Sequence, residues 1–158
     1  MTPDEVGTEI ANRTYAALIS LGVTAVQYPS RGELPTLPCI LLHWTDFSLL
    51  GGMPEQYWTC VYVGQILIAG AESGTNTFEN ESALNALIVP LADTWDAYLN
   101  KHNRYLSDVP GKDPVDDCVF QSPQGPDGQL GQMFVVNNKP FYGGTVAWTA
   151  SFRRIAGQ

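Results

Sequence analysis

"YWTCVYVGQILIAGA", residues 57–71, is the stretch whose reading decides the fold. It is rich in β-branched and aromatic residues, carries apolar side chains on both alternating faces and contains one weakening residue, Gly64. Such residues favour extended backbone because they pack well on a pleated surface. At ~3.3 Å per residue, a strand this long reaches well beyond the ~17–20 Å of an ordinary one. Part of it is therefore expected to project past the core as a long β-hairpin. The simplest partner is the preceding run "CILLHWT" (39–45), and "TDFSLLGGMPEQ" (45–56) joins the two. Gly51, Gly52 and Pro54 mark that joining segment as a loop. It nevertheless carries Phe47, Leu49, Leu50 and Met53, four large apolar side chains where a water-facing connection is usually polar.

Working outward, Thr2-Pro3-Asp4-Glu5 is a helix start. Thr2 can cap, Pro3 suits the first helical position and Glu5 completes a capping box. Val6, Ile10, Ala17, Leu18 and Leu21 then share one helical face, and Gly22 suits the position just past the end. This predicts an amphipathic helix over 3–21. "VTAVQY" (23–28) reads as a short strand and "PSRGELPTLP" (29–38) as loop.

A second helix is expected over 78–101, with Leu84, Leu87, Ile88, Leu91, Trp95, Tyr98 and Leu99 on one face. Asn76 or Thr77 can cap it, Glu79 and Glu81 suit its first turn, and Lys101 and His102 its last. Pro90 should kink or split it. "SDVPGKDPVDD" (107–117) and "SPQGPDGQLG" (122–131) read as loops around a brief strand "CVFQ" (118–121). "QMFVVN" (132–137) reads as a strand and "NKP" (138–140) as a turn. In residues 141–155, Tyr142, Val146, Trp148, Ala150 and Phe152 alternate with Thr145, Thr149, Ser151 and Arg153, the pattern of a half-buried strand. Helix, strands, helix, strands, joined mostly by hairpins, predicts an α+β fold: a mainly antiparallel β-sheet with two principal helices on one face. The 158 residues are the size of one domain, 1–158.

Only 15% of residues are charged, well under the ~25% of average chains. Such a surface often belongs to a protein that covers itself with partners. The net charge is −8, and Arg153-Arg154 is the only adjacent basic pair. Gripping nucleic acid needs Lys and Arg to neutralise phosphate, so tight DNA or RNA binding is not expected. A negative wall would instead let DNA slide past. Cys39, Cys60 and Cys118 are too few and scattered for a disulfide framework and fit a reducing compartment. The N-terminal "MTPDEVG" lacks the pattern of a secretory signal. No apolar run approaches the ~20 residues of a membrane span.

The search for chemistry finds no catalytic constellation. His43 and His102, the only histidines, belong to no metal-binding motif. Asp113, Asp116 and Asp117 lack the ligand spacing of a calcium loop and read as solvated. There is no G-x-S-x-G elbow. "GAESGTNT" (70–77) lacks the G-K-[ST] ending that holds phosphate and magnesium. The aromatics of "GGTVAWTASF" alternate as in a stacking platform, but without positive charge they read as core.

The elements "TPDEVGTEIANRTYAALISLG" (2–22), "QYWTCVYVGQILIAG" (56–70), "ESALNALIVPLADTWDAYL" (81–99) and "YGGTVAWTASFRR" (142–154), in this order, carry a resemblance. The chain resembles the tail-terminator, or tail completion, proteins of long-tailed bacteriophages, across nearly its whole length. The resemblance implies a structural virion protein, not an enzyme, with no cofactor and no metal. It implies a hexameric homo-oligomeric ring that caps the tail tube protein, stops polymerisation and joins the head-side connector or neck protein. DNA would pass through the lumen without specific binding, and no membrane is involved. The location would be the tail–head junction of the virion, with assembly in the host bacterial cytoplasm. On this reading Phe47, Leu49, Leu50 and Met53 form an oligomer or tube interface, since a head-to-tail ring uses two different patches per protomer. The alternatives are a head-completion or neck ring protein, a small α+β enzyme using a histidine base, and a ligand- or peptide-binding monomer.

Overall fold

The structure, a computed structural model, describes residues 2–29, 33–51, 55–70, 77–94, 118–120 and 127–155. Its elements are α1 (Pro3–Leu18), β1 (Ala25–Gln27), β2 (Cys39–Leu50), β3 (Glu55–Gly70), α2 (Thr77–Thr94), β4 (Cys118–Phe120), β5 (Asp127–Val136) and β6 (Lys139–Ile155). The architecture is α+β: a mainly antiparallel six-stranded sheet carries both helices on one face. The strand order is β1-β2-β3-β6-β4, with β5 beside β6, and only the β1–β2 pair is parallel.

α1 begins as its residues dictate. The Thr2 hydroxyl accepts the Glu5 N–H at 3.2 Å, and the Glu5 carboxylate accepts the Thr2 N–H at 2.7 Å. The helix tightens into a 3₁₀ turn, Ile19–Leu21, and stops at Gly22, whose φ of 88° is the left-handed backbone that glycine adopts without cost. That tightening turns Leu21 out to solvent, against the expectation that it lies on the buried face. Val6, Ile10, Ala11 and Leu18 pack on Ile40, Leu42, Cys60, Tyr62 and Ile66. Two tyrosines pin the start of the helix: Tyr62 donates to the Pro3 carbonyl at 2.8 Å, and Tyr28 donates to the Asp4 carboxylate at 2.6 Å.

α2 packs Leu84, Leu87 and Leu91 into the same core. Of the expected kink or split at Pro90, the split does not occur: the helix runs unbroken, because buried leucines on either side hold it to the sheet. Trp95, Tyr98, Leu99, Lys101 and His102 lie outside the described residues, as do Asp113, Asp116 and Asp117. On the far face a smaller cluster of Cys39, Leu41, Leu67 and Phe141 is closed by Leu34, Leu37, Phe134 and Val136.

Two boundaries are corrected. Residues 45–50 and 55–56 are strand, not loop, because β2 pairs with β3 as far as Leu50↔Tyr57. The expected long β-hairpin of β2 and β3 is present, paired out to Leu50↔Tyr57, and it is flanked by further strands. β6 runs beside β3 to its end, Glu55↔Ile155, and β4 lies beside β6 there, since a two-stranded hairpin alone is marginally stable. Finally, β5 starts at Asp127, inside the expected 122–131 loop. Its turn is Asn137-Asn138, both at positive φ as a two-residue hairpin turn requires, so Lys139 and Pro140 belong to β6.

Candidate functional site

The strongest feature is the distal end of the sheet, where β2 and β3 meet beyond the cover of the helices. Ile40, Leu42 and Trp44 alternate toward the helices. A regular strand would continue with Asp46, Ser48 and Leu50 on that face. Instead the register slips by one residue: Trp44 pairs with Tyr62, but Asp46 pairs with Val61. Thr45 is the extra residue of a β-bulge. Past it, Phe47 pairs with Cys60 and Leu49 with Trp58. Paired residues share a face, so the bulge returns Phe47 and Leu49 to the helix side and leaves Asp46, Ser48 and Leu50 on the other.

The result is an aromatic strip on the helix side of the distal end. Phe47 meets Trp44 edge-on at 5.7 Å between ring centroids and lies tilted on Trp58 at 5.5 Å. Yet Phe47 remains 58% exposed and Leu49 46%. On the opposite face, Leu50 is 77% exposed beside its register partner Tyr57. The Trp58 Nε1–H is buried and has no hydrogen-bond partner in the protomer.

The structure therefore divides the four residues singled out by sequence. It brings Phe47 and Leu49 together, sets Leu50 on the other face, and leaves Met53 outside the described residues. Trp44, Trp58 and Tyr57 belong to the same distal end and were not anticipated. The period-two rows Ile40, Leu42, Trp44 and Trp58, Cys60, Tyr62 are the signal that could have found the tryptophans.

The ionisable groups are quiet by comparison. Burial pushes the Cys39 and Cys60 thiols up to about 11, so both stay protonated and unreactive near neutrality. Burial also lowers the His43 imidazole from its ordinary 6.5, and this side chain lies on the sheet face away from the helices. Among the described residues no three His, Cys, Asp or Glu side chains converge to hold a metal ion. Nor is any described helix long and apolar enough to cross a membrane.

The outward surfaces of the helices are acidic, with Asp4, Glu5, Glu79, Glu81 and Asp93 exposed. No protein-family model matches the chain, and no curated protein matches it significantly.

Proposed function

We propose that this chain is a structural virion protein of the tail-terminator kind. It assembles head to tail into a hexameric ring, caps the tail tube, stops its growth and offers its other side to the head-side connector. The observation that carries the reading is the distal sheet end. It is built of four paired strands, β2, β3, β6 and β4, and is apolar on both faces at Phe47, Leu49, Leu50 and Tyr57. A folded end of this kind, at the rim of a sheet and not over a core, is what a self-assembling contact needs. Burying each such side chain contributes roughly 1.5–3 kcal/mol. The acidic helix layer is compatible with a ring through which DNA passes without being gripped. On this reading the protein works at the tail–head junction, needs no cofactor and catalyses nothing.

The test is electron microscopy of lysates from a phage that lacks this protein. Overlong tails without heads are expected. Normal tails beside unjoined heads would move the assignment to a neck protein. Intact infectious particles would end the assembly reading.

A further inference from the structure

Among the described residues the sheet has an open edge on each side, and we propose that the two edges meet in neighbouring copies: the outer edge of β5 in one protomer pairs with the distal outer edge of β2 in the next. This rests on the self-assembly reading above and names the surface on which the distal end docks.

Both edges are read from the pairing. β1 covers β2 only at Cys39–Leu41, and among the described residues no strand lies outside β2 from Leu42 to Leu50. On the other side, β5 pairs with β6 along its inner edge, and no described strand lies beyond it. Sheet edges are templates for further strands, and proteins usually blunt them with short strands, prolines or charges. β1 is blunted by being three residues long. β5 is ten residues long; past the bulge between Gln129 and Gln132, its residues Gln132–Val136 have neither a charge nor a proline.

The two edges fit each other in direction and face. β2, β3, β6 and β5 alternate in direction, so β5 runs opposite to β2. A second copy laid alongside with the same face outward therefore makes an antiparallel pair without being turned over. Met133 pairs with Tyr142, which packs on the helix-side core, so Met133 and Val135 lie on the helix side. They are 58% and 75% exposed, on the same face as Phe47 and Leu49.

Setting Met133 opposite Leu49 and Val135 opposite Phe47 places these four side chains next to one another across the join, with Cβ atoms ~4.5–5.5 Å apart. The same register sets Asp46 opposite Val136, in the row that continues to Lys139 on the far face. Asp46 and Lys139 are both exposed and of opposite charge. A twofold β5–β5 joint would leave the aromatic strip bare, whereas joining β5 to β2 covers both edges and part of the strip.

Cysteine cross-linking of the full chain tests this. Leu49 and Met133 lie at opposite edges of one sheet, with β3 and β6 between them, so a bond between residues 49 and 133 can form only between copies. The double variant L49C/M133C, oxidised, is expected to give covalent multimers beyond the dimer, and each single variant none. F47C/V135C should reproduce the result should the first pair disturb folding. Oligomers by light scattering that do not cross-link in either double variant would overturn the edge pairing and leave the assembly reading standing. Dimers from M133C alone would overturn it in favour of a twofold joint. A folded monomer at every attainable concentration would overturn the assembly reading and this inference together.

Discussion

At the scale of single residues, the closest tolerance in the sheet is at Gly143. A Cβ built there would lie 1.7 Å from the Ile66 carbonyl oxygen, which is backbone in the neighbouring strand and cannot swing aside. Gly143→Ala is expected to cost about 1–3 kcal/mol or more, read as a lowered urea midpoint. His43 gives a pH signature. Its neutral form is favoured in the folded state, so the unfolded chain binds the proton more readily below its ordinary 6.5. Stability is therefore complete above that value and is lost as pH falls through the depressed folded value. His43→Gln should flatten the slope of urea midpoint against pH between about 7 and 5. The ends of α1 were legible residue by residue, because Thr2, Pro3, Glu5 and Gly22 act through bonds to near neighbours. Gly143 was not, because its constraint comes from a strand far away in sequence.

At the scale of elements, a single inserted residue decides the character of the distal end. Thr45 breaks the alternation of β2, and this is why 45–50 reads as an oddly apolar loop although it is strand. Periodicity is a local signal, and a bulge is fixed by the pairing partner, so the sequence alone does not reveal where the phase slips. The same holds for β5, whose glycines read as loop until β6 lies beside them. Because Leu49 and Leu50 lie on opposite faces, they can be tested apart. Leu49→Asp places a charge beside Trp58 on the helix side, and Leu50→Asp places one on the far face. Both variants should remain folded by circular dichroism, since neither residue is core. Leu49→Asp is expected to abolish self-association in sedimentation experiments, as one buried charge outweighs the ~1.5–3 kcal/mol of a lost leucine. Retained assembly in Leu49→Asp, with loss in Leu50→Asp, would move the contact to the far face.

At the scale of the whole molecule, fold class was legible because it depends on the order of strong periodic segments, and those survive errors of several residues at their ends. The partner surfaces were not, since exposure is a property of the assembled sheet. A protomer of net charge −8 repels its own copies at long range. Added salt shortens the screening length from ~30 Å at 0.01 M to ~8 Å at 0.15 M, so self-association through an apolar edge should strengthen over that range. Weakening with salt would point instead to ion pairs as the main attraction. β6 has a further consequence in time. It is the last described strand in chain order, yet it supplies one of the two neighbours of β3 and the described partner of both β4 and β5. Until Lys139–Ile155 has been synthesised, none of those strands can take its final place. The nascent chain therefore presents helices and a half-made hairpin, and the exposed apolar distal end is completed only when β6 joins the sheet.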